Sequence, residues 1–418
     1  MTLLKTSALN AAAVVVKILA GIGLNKVLAL YIGPAGYALV GQFTNIVSLF
    51  GAFTGGVVST GVTKYTAEFR GGEDLQRAVW RAASRYLLVS TAVAAVVVLL
   101  FSERLAAWLL GDASYHFVLI ALALMLPLLA FNALLLAIMN GKTEVRGYVV
   151  QGIASTILGA CASAALAIRF GLQGALFAVV LNAFLVTLVT VWICRRALWM
   201  SASSFLGPVS RASYRPLLGY AAMALTSAVA APLGQVAVRD HLIDQFGHVA
   251  AGEWQAVFKI SEIYIQLFTA TLGLYYLPRL AEIRDAKQLW KEVGKVCAFV
   301  LPLAVLAAFT IYLLREWVTI TLFTQEFLGM VSLFAWQLVG DVLKVGSWIF
   351  GFVLVGRAMV RWYIATEIIF GLSWVVLTRM LTSAMGLEGA PVAFALNYGI
   401  YWVAVALLVR RESLRMPA

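Results

Sequence analysis

The sequence predicts an all-α polytopic membrane protein, with twelve transmembrane helices arranged as two six-helix bundles. Three observations carry this. Of 418 residues, 62% are hydrophobic and only 12% charged, about half the charge of a soluble chain. Apolar runs long enough to cross a bilayer recur without period-two alternation, so helices cross rather than barrel strands. The chain also matches itself at a shift of about 215 residues.

The twelve spans are drawn at 8–32, 37–62, 80–101, 115–139, 148–168, 174–194, 217–238, 253–276, 295–314, 328–355, 361–382 and 389–409. The stretch from Met1 to Ile32 lacks a small-residue cleavage site and reads as a retained first span. The longest joins, 63–79, 195–216 and 277–294, are too short for a soluble catalytic domain. Of the 31 Lys and Arg residues, 22 fall on the side of the N-terminus. The opposite side receives only Arg104, Arg169, Arg239, Arg315 and Arg379, and Lys17, Lys26, Lys259 and Lys344 lie inside spans. This bias predicts both termini in the cytoplasm. It also accounts for most of the net charge of +12, so nucleic acid is not an expected partner. Cys161, Cys194 and Cys297 sit at unrelated spacings and suggest neither a disulfide nor a metal site.

The repeat is specific in its loops. Gly141-Lys142-Thr143-Glu144-Val145-Arg146-Gly147-Tyr148 falls on Gly356-Arg357-Ala358-Met359-Val360-Arg361-Trp362-Tyr363. Gly171-Leu172-Gln173-Gly174-Ala175 falls on Gly386-Leu387-Glu388-Gly389-Ala390, and Ala67-Glu68-Phe69-Arg70 on Ala281-Glu282-Ile283-Arg284. The expected halves are 1–210 and 211–418. Six is even, so the repeats are parallel, and such duplications place a transporter's substrate near the midplane between the halves.

An ionisable group inside a span is costly and marks function by default. In the tenth span Gln337, Asp341, Lys344 and Trp348 share one stripe. Two readings stay open: an i,i+3 ion pair between Asp341 and Lys344 that locks packing, or a polar path. Lys259, Glu262, Gln266 and Thr269 form a matching stripe on the eighth span. Lys17 and Lys26 lie on opposite faces of the first span, and Lys17 is the better placed for a cavity. Gln42 and Asn45 sit one turn apart on the second span, which ends near Lys64. The seventh carries Thr226, Pro232 and Gln235, with Arg239 closing it at the outer rim. Glu367 reads as interfacial; His116, His241 and His248 lie in or beside outward loops, and His241 and His248 read as solvated. Lysines thus outnumber the deeper carboxylates, which favours an anionic cargo such as a diphosphate. A carboxylate beside a lysine in a dry setting suits proton coupling.

No Walker motif, GxGxxG after a strand, HExxH or GxSxG is present. No catalytic residue, metal or cofactor is therefore expected. The non-enzyme alternative is an extruder of cationic drugs, which would more naturally use an acidic cavity. A glycosyl-transfer enzyme is the weaker alternative, because it would show a long loop outside the membrane.

Phe334-Ala-Trp-Gln-Leu-Val-Gly-Asp-Val-Leu-Lys-Val345, with Gly61-Val-Thr-Lys-Tyr65 and Gly33-Pro-Ala-Gly36, resembles the Wzx-type polysaccharide flippases. Within them it is most similar to the branch that handles the undecaprenyl-diphosphate-linked precursor of enterobacterial common antigen. The resemblance covers essentially the whole chain. It implies the V-shaped fold of the multidrug/oligosaccharidyl-lipid/polysaccharide exporters around a cationic cavity, in the bacterial inner membrane, with flipping coupled to an ion gradient. It also implies a lipid-linked oligosaccharide substrate, surrounding membrane lipids, a monomeric transport unit, and the polysaccharide polymerase and chain-length machinery as partners. The family has no short invariant motif, so the cavity residues named above rest on depth and periodicity.

Overall fold

The structure, a computed structural model, describes residues 3–209, 215–283, 285–357 and 359–414. The expected boundary at 210/211, together with Arg211, Arg284, Ala358 and Arg415, lies outside them. Eight of the twelve expected spans fall within a helical segment; 80–101, 115–139 and 295–314 overrun theirs by one residue, and 328–355 begins six residues early, in the 3-10 turn Gln325–Leu333. These segments are α1 (3–32), α2 (34–68), α3 (Glu73–Leu100), α4 (His116–Gly141), α5 (145–170) and α6 (172–194). They continue as α7 (215–246), α8 (248–282), α9 (Ala286–Leu313), α10 (Phe334–Gly356), α11 (Val360–Met385) and α12 (Gly389–Ser413). Among the described residues, seven continuous helical runs are long and apolar enough to cross a membrane, several of them holding two spans. The protein is a multi-pass membrane protein.

Four hairpins turn on a single glycine. Gly33 (φ 60°, ψ −174°) separates α1 from α2, and Gly247 (φ 82°, ψ 171°) separates α7 from α8. Gly171 (φ 56°, ψ −135°) lies between α5 and α6, and Gly386 (φ 66°, ψ −151°) between α11 and α12. This backbone region is close to glycine-only, because a Cβ would clash. The pairs are 214 and 215 residues apart, so the repeat is written into the backbone. Glu144 (φ −79°, ψ 57°) and Met359 (φ −81°, ψ 58°) repeat each other before α5 and α11. Short helices Ser102–Leu110 and Arg315–Leu322 follow α3 and α9 in the same way.

The joins 63–79 and 277–294 are shorter than expected. Among the described residues of these joins, only 69–72, Ile283 and Asp285 fall between helices. Hydropathy sees the residues inside hydrocarbon, whereas these helices continue into polar sequence. Glu73 and Asp74 suit the positive end of α3. Asp285 caps α9, its carboxylate accepting from the Gln288 N–H at 2.7 Å.

Two compact units emerge: residues 1–33 with 39–233, and residues 34–38 with 234–418. In the first unit, α4 packs against α2 and α3. Gly141 lets α2 approach, since a Cβ there would lie 2.7 Å from the Thr63 carbonyl oxygen. A buried polar chain crosses the helices: Gln151 donates to Thr190 (3.0 Å), which donates to Asn132 (2.6 Å). Arg81 and Arg85 on α3 donate to the carbonyls of Ser203 and Gly207, tying down the linker after α6. In the second unit, α10 is central and packs against α9, α12 and the end of α8. Tyr37 belongs to this unit, edge-on to Phe323 and Phe327 at 5.6 and 5.9 Å. Lipid tails are as apolar as leucine, so close packing and shared hydrogen bonds hold such helices together.

Candidate functional site

The ionisable residues of the second unit converge on the middle of α10. Asp341 is fully buried. One carboxylate oxygen accepts from the Tyr264 hydroxyl of α8 at 2.8 Å, the other from the Gln337 amide one turn earlier at 3.2 Å. Buried polar groups persist in membranes only when satisfied in this way.

Asp341 and Lys344 do not form the i,i+3 ion pair that the sequence allows. The oxygens of Asp341 are engaged by Tyr264 and Gln337, and the Lys344 ammonium turns to aromatic faces instead. It lies 5.6, 5.1, 5.4 and 5.3 Å from the ring centres of Phe258, Trp348, Phe394 and Tyr398. A desolvated cation–π contact contributes about 2 kcal/mol. Gly340 makes room for one wall of this box, because a Cβ there would collide with the Phe394 ring. Asp341, Glu262 and Glu367 all lie within electrostatic reach of the ammonium.

The same spacing on α8 does close. Lys259 and Glu262 form an i,i+3 pair at 2.9 Å, and the Gln235 amide approaches Glu262 at 3.5 Å. Gln266, one turn further along α8, is half-buried.

Arg239, expected to close the seventh span, is not a solvent-facing group. It is fully buried, donates to the Gln255 side chain and stands over the Trp254 ring at 5.7 Å. Hydropathy cannot anticipate a buried guanidinium whose partners come from the next helix. Glu367 lies within electrostatic reach of Lys344 as well. Among the described residues the cluster therefore sets Arg239, Lys259 and Lys344 against Asp341, Glu262 and Glu367. The expected lysine surplus is not a property of this cluster.

The other predicted residues belong to the first unit. Lys17 is exposed and Lys26 half-buried on α1. Gln42 is buried and Asn45 half-buried on α2. Lys64 is exposed at the end of α2, 3.7 Å from Glu68.

Sequence reasoning missed Tyr264, Phe258, Phe394 and Tyr398, whose roles are set by neighbouring helices. Glu367 carried a usable signal, as the one carboxylate of a helix whose other charges, Arg361 and Arg379, lie nearer its ends. His241 is not simply solvated, its ring nitrogen lying 2.8 Å from the Thr382 hydroxyl.

A duplicated helical bundle with ionisable groups held at mid-helix is the architecture of a membrane transporter. Solved structures share the fold. An inward-facing multidrug-resistance MATE family transporter of the MOP superfamily superposes with a TM-score of 0.77, at 15% identity over 96% of this chain and 94% of that one. A MOP superfamily transporter from Pyrococcus furiosus gives 0.62, at 15% identity over 96% and 95%. The family model "Polysaccharide biosynthesis protein" matches residues 3–284. The lipid III flippases of Escherichia coli and Shigella flexneri are each 32% identical, over 99% of this chain and 100% of theirs. The chain belongs to the polysaccharide biosynthesis protein family.

Proposed function

We propose that this protein is a flippase that moves an undecaprenyl-diphosphate-linked oligosaccharide, lipid III, from the cytoplasmic to the periplasmic leaflet. The end-to-end similarity to two lipid III flippases carries the reading. The two halves, 1–210 and 211–418, act as the bundles of an alternating-access transporter in the bacterial inner membrane, with both termini in the cytoplasm. Lys17, Lys26, Lys64, Lys259 and Lys344 serve the anionic headgroup. Asp341, Glu262, Gln42, Asn45, Gln266, Gln337 and Arg239 supply the polar lining and the coupling groups. No catalytic step is required. The polysaccharide polymerase and chain-length machinery receive the product.

The buried Asp341 supports ion coupling. Its carboxylate is held by the neutral donors Tyr264 and Gln337 and lies within electrostatic reach of Lys344, so uptake of a proton there would shift the charge balance around that ammonium. Reconstitution tests the reading. Proteoliposomes should deliver an undecaprenyl-diphosphate trisaccharide to the opposite leaflet faster than protein-free vesicles, and an imposed proton gradient should accelerate delivery. Equal rates with and without protein would refute it.

A further inference from the structure

A second polar feature lies in the first unit, away from the cluster on α10. A groove of about 560 Å³ opens between the end of α2, the end of α4 and the start of α5. Ligand sites commonly have volumes of roughly 300–1,000 Å³. Its polar lining is Ser59, Thr60, Thr63, Lys64, Asn140 and Tyr148, over a floor of alanine and leucine. Ser59 and Thr63 turn their hydroxyls onto the Gly56 and Ala137 carbonyls, at 2.9 and 3.1 Å. The side chains of Thr60, Asn140 and Tyr148 are exposed and make no hydrogen bond to another described residue. A hydroxyl, an amide and a phenol therefore point their hydrogen-bonding capacity into one concavity.

The repeat shows that the fold does not need this polarity. Counting by 214, Ser59, Thr60, Thr63 and Lys64 correspond to Gly273, Leu274, Leu277 and Pro278. Counting by 215, Asn140 corresponds to Val355, and only Tyr148 keeps its type, as Tyr363. The helix crossing beneath is the same in both halves. A Cβ on Gly141 would meet Thr66, and one on Gly356 would meet Leu280, the residue 214 positions after Thr66. The same helix crossing thus goes with an apolar sequence in one half and with exposed polar residues in the other. The groove also sits at the basic end of its helices, where Lys64 lines it and Lys142 and Arg146 follow in the sequence, the level of lipid headgroups on the positive side of a membrane.

We infer that this groove is a docking site for the sugar portion of a glycosyl-diphosphate lipid headgroup. Neutral hydroxyl and amide groups match sugar hydroxyls, and a lysine at the rim matches the adjoining diphosphate. The inference rests on the flippase reading for the identity of the lipid, but it locates a contact that reading does not assign.

The test uses the full-length protein in lipid nanodiscs, with an undecaprenyl-diphosphate trisaccharide and the sugar-free undecaprenyl diphosphate as probes. Thr60→Leu with Asn140→Val installs the residues that the other half already carries, so folding should persist. Tyr148→Phe removes a single oxygen and serves as a second, milder variant. Wild-type protein should bind the glycosylated lipid more tightly. The double variant should weaken that binding about tenfold, and Tyr148→Phe severalfold, since each lost hydrogen bond costs a few-fold in affinity. Binding of the sugar-free lipid should be unchanged throughout. Equal affinity of wild type and both variants for the glycosylated lipid would overturn the docking site, as would failure of wild type to prefer it. If wild type binds it with groove dependence yet does not move it between leaflets, the docking site stands and the flippase reading falls.

Discussion

The two halves of this protein place their polarity at different depths on the same backbone. In the second, Gln337, Asp341 and Lys344 lie in the middle of α10. Shifted by 215, the corresponding residues of α4 are Leu122, Leu126 and Leu129. Tyr264, which donates to Asp341, corresponds to Phe50, and the rings around Lys344 correspond to Thr44, Ala133, Val179 and Ala183. At the basic end the contrast reverses: the first half is polar at Thr60, Lys64 and Asn140 where the second is apolar. Duplication preserved glycine turns and helix crossings, which packing demands, and left the lining free to diverge. The charged cluster of the second half is therefore not required by the packing that the two halves share.

The largest effect should come from forcing the two halves to be alike at the wrong place. Leu126→Asp would bury a carboxylate where Phe50 and Leu122 offer no donor. A lone buried charge costs several kcal/mol, so the folded yield and thermal midpoint in detergent should fall sharply. A stable Leu126→Asp protein would break the comparison. The reverse change, Asp341→Leu, leaves Tyr264 and Gln337 without their acceptor, at about 1–3 kcal/mol. The protein should still fold, but gradient-driven leaflet transfer in proteoliposomes should be lost. Transfer that keeps its gradient response would make Asp341 structural.

Lys344→Met keeps the length of the side chain inside the aromatic box and removes its charge. Loss of the desolvated cation–π contacts, about 2 kcal/mol, should slow transfer by roughly tenfold or more. Lys259→Met removes only a half-exposed ion pair and should have a smaller effect. Equal effects from the two would show that the box adds nothing. Gly141→Ala and Gly356→Ala compare the shared crossing. The first meets the Thr63 carbonyl at 2.7 Å, the second the Leu280 Cβ at 2.9 Å, and backbone yields less readily than a side chain. Destabilisation of about 1–3 kcal/mol is expected for Gly141→Ala and less for Gly356→Ala, read as thermal midpoints. The smallest effect belongs to Glu144→Met, which copies Met359. It removes the 2.8 Å hydrogen bond from the Trp199 indole and should cost about 1 kcal/mol.

The sequence by itself determined the membrane class, the helical spans and the internal repeat. These depend on composition and local periodicity, which a linear reading records in full. It also named Asp341, Lys344, Lys259 and Glu262, because charge within an apolar run stands out wherever the chain goes. What only the tertiary structure decided is who faces whom. Asp341 and Lys344 have the spacing of an ion pair, as Lys259 and Glu262 do, yet only the α8 pair closes. The difference comes from Tyr264, Phe258, Phe394 and Tyr398, which approach α10 from neighbouring helices. The partner of Arg239 and the charge near Glu367 likewise come from other helices. Depth along a helix is legible from the chain, but the partners around a side chain are set by helices that are distant in sequence.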